Sequence, residues 1–189
     1  MGVFEYLSVF VSIVVGLAVA NVLLGLARML SDSKARLSFD HLAWVAMVLL
    51  LLTFFWWFNF QWDQREVWTF ALFLWVVCYS MLVFFASALV IPSDPGEDAD
   101  WGDAFFQRRT LFFVTWGAGA FADIVDALIR RGGGLYGSDL LLFGPQLVGV
   151  GIAIILATTD SRRVFRVLTV IHLVLFASSI LFTTEALSG

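Results

Sequence analysis

From residue 4 to residue 30 the chain reads FEYLSVFVSIVVGLAVANVLLGLARML, and only Glu5 and Arg28 in that stretch carry charge. As a helix it would be about 40 Å long at 1.5 Å per residue, enough to cross the roughly 30 Å hydrocarbon layer of a bilayer and project beyond it. Runs of similar character recur to the end of the chain. The predicted fold is therefore all-α: one polytopic membrane domain over residues 1–189. Six transmembrane helices are expected, over about 4–30, 41–61, 67–91, 110–130, 137–158 and 164–186. Hydrophobic residues are 61% of the total and charged residues 14%, against roughly 25% charged in a soluble domain. That balance removes the soluble classes. A net charge of −4 also gives no basic footprint for nucleic acid.

Ala18-Val19-Ala20 has the A-x-A form of a signal-peptide cleavage site. The residues before the apolar run hold Glu5 and no cation, and the run continues well past the site, so a retained first helix is expected. Cys78 is the only cysteine, which excludes an internal disulfide and a CxxC metal pair.

Lysine and arginine set the expected orientation. Arg28, Lys34, Arg36, Arg108, Arg109, Arg162, Arg163 and Arg166 flank alternate loops on one side, while Arg65, Arg130 and Arg131 fall on the other. The positive-inside rule puts the larger set in the cytoplasm and both termini outside. The run FFWWFNFQW (54–62) with Trp68 then reads as an outer aromatic belt, and Trp44 as an inner interfacial residue. Trp101, Phe105 and Phe106 are spaced as in a short interfacial helix before the fourth span, with an ordinary loop carrying anchoring aromatics as the alternative.

Polar residues collect at the outer helix ends: Glu5, Asn59, Gln61, Asp63, Glu66, Asp123, Asp126, Arg130, Asp139 and Glu185. Asp123 is the deepest, about seven residues or roughly 10 Å inside its helix. At 100° per residue Asp123, Asp126 and Arg130 share one stripe. A carboxylate facing lipid costs a few kcal/mol, so the stripe should face the protein or a wet cavity. One reading is structural, with Asp126 paired to Arg130 at i,i+4. The other is a cation or proton site open to the outside, with Glu185, Glu5 and Asn59 near its mouth. A second polar set, Asn21 and His172, lies in the inner half at similar depth, and a hydrogen bond between them is expected.

Ser8, Ser12, Gly16 and Ala20 recur every four residues along the first span, a ridge of small residues that admits another backbone. Packing within the chain is the first expectation for it, and the seam of a homo-oligomer the second. Three spans on either side of the long third loop would suit an inverted 3+3 repeat, and Gly144-Pro145 predicts a kink in the fifth span. No cofactor is expected, since His41 and His172 sit at different depths and make a poor haem pair. Metal binding is left open. There is no GxSxG, HExxH, Walker or dinucleotide-binding motif. The only lysine, Lys34, is placed in a loop, where it cannot serve a retinal site.

The opening stretch FEYLSVFVSIVVGLAVANVLLGLARML, the later EVWTF and the proline-ended third span resemble a widespread group of small bacterial multi-pass membrane proteins of unassigned activity. The resemblance implies the bacterial inner membrane and no functional residues. Two functions are carried forward. The first is a channel or secondary transporter for a cation or small solute, entered through an acidic vestibule centred on Asp123. The second is a non-transporting structural or accessory subunit that docks partners or anionic lipid.

Overall fold

The computed structural model describes residues 2–93, 100–132 and 139–186, with the side chains of 139–142 and 180–186 outside that description. Six α-helices occur in order among the described residues: α1 (Val3–Ser31), α2 (Phe39–Asn59), α3 (Phe70–Val90), α4 (Trp101–Arg130), α5 (Asp139–Thr158) and α6 (Arg162–Ala186). A 3-10 helix, Phe60–Gln64, prolongs α2. No β-strand occurs among the described residues. Four of these segments are long and apolar enough to cross a membrane: Val3–Ser31, Phe39–Gln64, Phe70–Val90 and Trp101–Arg130.

Local chemistry sets the helix ends. Glu5 accepts from the Gly2 amide at 2.9 Å and closes the start of α1. Ser38 accepts from the His41 amide and Thr69 from the Leu72 amide, both at 3.3 Å, capping α2 and α3. Asp100 does the same for α4, accepting from the Asp103 amide at 2.9 Å. Each of these bonds satisfies a backbone N–H that has no partner in the first helical turn. Pro92, whose ring disfavours helix at the preceding residue, follows the Ile91 C-cap of α3.

The chain divides into two compact units, Met1–Arg108 and Arg109–Gly189, with the boundary inside α4. In the first unit α1 packs on α2 and α3. Its buried stripe is Leu7, Val11, Val15, Ala18, Val22, Gly25 and Met29. Gly25 is the close-approach point: a Cβ there would lie 2.7 Å from Cγ2 of Ile91. The Ser8–Ala20 ridge is turned elsewhere. Ser12, Gly16 and Ala20 are exposed, Ser8 is half-buried, and a Cβ on Gly16 would meet nothing within 4 Å. Ser12 still meets α2, accepting from the Trp56 indole N–H at 3.3 Å. The main α1 interface is the adjacent stripe, where one glycine admits Ile91.

One further expectation changes. The segment around Trp101, Phe105 and Phe106 is no separate interfacial helix but the first turns of a continuous 30-residue α4. Nothing between Asp103 and Thr115 breaks a helix, and all three aromatics are buried. Trp44, expected at an interface, is fully enclosed at 0% exposure. The outer belt divides: Trp56, Trp57 and Phe60 are exposed, while Trp62 is buried against Trp68 with ring centroids 5.5 Å apart. Helix α5 continues through Pro145.

The two glycines of α1 make a controlled comparison. Gly25→Ala forces Ile91 to move and is expected to cost about 1–3 kcal/mol, the usual range for overpacking. Gly16→Ala removes helix-interior glycine in open space and should be neutral or stabilising by up to about 1 kcal/mol. Thermal unfolding of both variants in the same detergent reads the difference.

Candidate functional site

Inside an apolar layer a polar side chain has no water to turn to, so its partner must come from the protein. In the first unit Asn21 of α1 donates to the Ser87 carbonyl of α3 at 3.1 Å. Ser87 lies in the last turn of α3, where carbonyls have no partner within the helix, and its hydroxyl donates separately to the Phe84 carbonyl at 2.6 Å. His41, fully buried in the first turn of α2, donates from Nε2 to the Val90 carbonyl at 2.8 Å. A carbonyl only accepts, which places the imidazole proton on Nε2. The ring lies flat on Phe105, centroids 4.7 Å apart and planes 17° from parallel.

In the second unit Trp116 of α4 donates its indole N–H to His172 Nε2 of α6 at 3.1 Å. An indole nitrogen only donates, so Nε2 accepts and the neutral ring carries its proton on Nδ1. The imidazole edge rests against α5 at Gly149, where an added Cβ would stand 3.2 Å from Cε1. Phe112 and Phe176 flank the pair, with the Phe176 ring nearly parallel to the imidazole at 6.4 Å. Asn21 and His172 are each engaged within their own unit. Sequence reading missed Trp116 and Ser87. A tryptophan inside an apolar span signals that its N–H needs an acceptor, but a backbone carbonyl such as that of Ser87 has no signature in sequence.

The start of α4 in this unit also holds the end of α5. Arg109 donates to the Thr159 carbonyl at 2.6 Å and to the Asp160 carboxylate at 2.9 Å, and Thr110 donates to the Ala157 carbonyl at 2.9 Å. These donors serve carbonyls that the helix leaves open at its C-terminal turn. Arg109 adds a positive charge where the helix dipole is negative.

The acidic stripe lies near the other end of α4. Asp126 is buried at 5% exposure and its carboxylate is 2.8 Å from Arg130 Nε, the i,i+4 pair expected from the sequence. Asp123 is half-buried one turn earlier on the same face. Among the other residues expected at the vestibule, Glu5 is exposed and engaged in the α1 cap, and Asn59 is half-buried at the end of α2. The Glu185 and Asp139 side chains lie outside the described residues. No group of three or more His, Cys, Asp or Glu side chains disposed to hold a metal occurs among the described residues. Gln146, next to Pro145, has its amide oxygen buried with no hydrogen-bond partner among them.

Comparison with protein families, curated proteins and solved structures returns no match.

The Trp116–His172 bond is open to a double-mutant cycle. Trp116→Phe should lose about 1 kcal/mol of stability, within the range of hydrogen bonds inside membrane bundles. In a His172→Phe background the same substitution should cost clearly less, and unfolding in detergent of the four proteins gives the coupling.

Proposed function

We propose that the protein is a multi-pass protein of the bacterial inner membrane with six spans and both termini outside. In this reading it moves a cation or small solute through a charged site at the outer part of α4. The observation that carries it is the Asp126–Arg130 ion pair, formed at 2.8 Å with both side chains largely buried, beside the half-buried Asp123. Ionised groups are costly in a span and are retained there chiefly where they do chemistry or face a water-filled path. In this reading Asp123 is the main site group for an ion entering from outside, Asp126 assists, and Arg130 sets the local charge. The lengths of α5 and α6, 20 and 25 residues, match the roughly 20 residues a span needs and support the six-span reading. The cytoplasmic excess of arginine supports its orientation.

A second reading is favoured by a different observation. The small-residue ridge of α1 is exposed at Ser12, Gly16 and Ala20, which leaves a close-approach surface for a helix of another protein or of a second copy. In that reading the chain is a non-transporting accessory subunit, and Asp126–Arg130 only satisfies charge.

Cation and proton flux into proteoliposomes separates the two. Wild-type protein should conduct, and Asp123→Asn, checked as monodisperse by gel filtration, should lose at least tenfold in rate. Absence of flux from wild type across a panel of monovalent and divalent cations would leave the accessory reading standing.

A further inference from the structure

The first unit holds a buried acceptor and a buried donor whose hydrogen bonds its own side chains do not supply. His41 is fully enclosed, and with its proton on Nε2 for the Val90 carbonyl the ring presents Nδ1 as an acceptor. Trp101, in the first turn of α4, is 5% exposed, and its indole N–H can only donate. Neither His41 Nδ1 nor Trp101 Nε1 has a hydrogen-bond partner among the described residues. A polar atom buried in that way has lost its hydration with no bond in exchange, and buried polar atoms in folded proteins are nearly always answered.

Packing brings the two residues to one place. The Ser38 hydroxyl accepts from the His41 amide at 3.3 Å, and the same hydroxyl lies against α4 at Gly102, where an added Cβ would collide with it. The His41 ring stacks on Phe105 with centroids 4.7 Å apart. Gly102 thus meets Ser38, and Phe105, three residues on, meets His41, three residues on from Ser38. The first turns of α2 and α4 therefore run side by side in register. Trp101 precedes Phe105 by four residues, on the same helix face and one turn nearer the helix start. Helical side chains lean toward the N-terminus, which inclines His41 toward the level of Ser38 and Trp101. Its two ring nitrogens point in different directions, so with Nε2 on the Val90 carbonyl of α3, Nδ1 faces away from that carbonyl.

We infer that the heads of α2 and α4 bind one ordered water molecule, which accepts from Trp101 Nε1–H and donates to His41 Nδ1. The Ser38 hydroxyl, able to donate or accept, is its third partner, and two to four polar partners are what a buried water requires. One neutral donor, one neutral acceptor and a hydroxyl match water and suit neither an anion nor a metal cation. Ser38 is half-buried and Asp103 exposed, so solvent reaches this end of the helices. With the water in place, a chain of hydrogen bonds runs from the Val90 carbonyl of α3 through His41 of α2 to Trp101 of α4. It fixes the first turns of α4 to the rest of the first unit. The site stands whether or not the protein transports, because neither Asp123 nor Asp126 takes part.

The test uses the full chain in lipid bilayers, with its tryptophan and histidine nitrogens isotope-labelled for magnetic resonance. The Trp101 indole proton, assigned by its loss in Trp101→Phe, should show a through-space cross-peak to a slowly exchanging water. His41→Phe removes the acceptor and should weaken that cross-peak severalfold. In the wild-type chain the His41 Nδ1 resonance, separated from that of His172 by the His172→Phe variant, should lie where a hydrogen-bonded acceptor nitrogen lies. That reading needs no change at His41, so it decides the matter even if His41→Phe misfolds. Absence of a water cross-peak at Trp101, an unbonded His41 Nδ1, or a cross-peak that His41→Phe leaves intact would overturn the inference. A coupling that shows Trp101 Nε1 bonded directly to His41 Nδ1 would do the same.

Discussion

A polar group placed in hydrocarbon must be answered by the protein itself, and the arrangement of these helices follows from that demand. The backbone meets it by becoming helical almost throughout. The side chains meet it by reaching from one helix to another: Asn21 to the Ser87 carbonyl, His41 to the Val90 carbonyl, Trp116 to His172, and Thr110 with Arg109 to the end of α5. Each such bond selects one rotation of its helix. Lipid tails are as apolar as leucine, so burial of hydrocarbon gives little preference among rotations. Polar bonds and close packing decide between them.

The same logic separates three kinds of surface. Where branched side chains interlock around a glycine, as at Gly25 and Ile91, the helices of the first unit are in direct contact. Where small residues face outward, as at Gly16 and Ala20, the surface can admit a further helix. Where small residues on two helices form a floor between aromatic walls, as at Gly117 and Ala153, an open groove results. Glycine and alanine occur in all three, so their presence alone does not say which kind of surface a sequence encodes.

Both histidines illustrate how a titratable side chain can be conscripted into packing. His41 is held by a carbonyl on one edge and Phe105 on one face. His172 is held by an indole N–H and stacked with Phe176. In each the partner's fixed hydrogen-bonding role sets the tautomer. Asp126 is likewise engaged by Arg130.

Much of the secondary structure was legible in the chain as written. Apolar runs long enough for a bilayer, capping residues such as Ser38 and Thr69, and the stop at Pro92 are properties of contiguous residues. Helix existence depends on little else. The pairing of Asp126 with Arg130 was legible for the same reason, since four residues along a helix is a local distance. The facing of the helices was not. A span that is apolar on every side gives periodicity nothing to report, so the Ser8–Ala20 ridge and the stripe beginning at Leu7 were equally eligible for burial. Trp44, Asn21 and His172 found their places only when other helices arrived beside them, because their partners are distant in sequence or belong to the backbone. The bilayer's demand for apolar length is met residue by residue along the chain. The choice of neighbour is made in three dimensions, by the few polar groups and close contacts that lipid cannot replace.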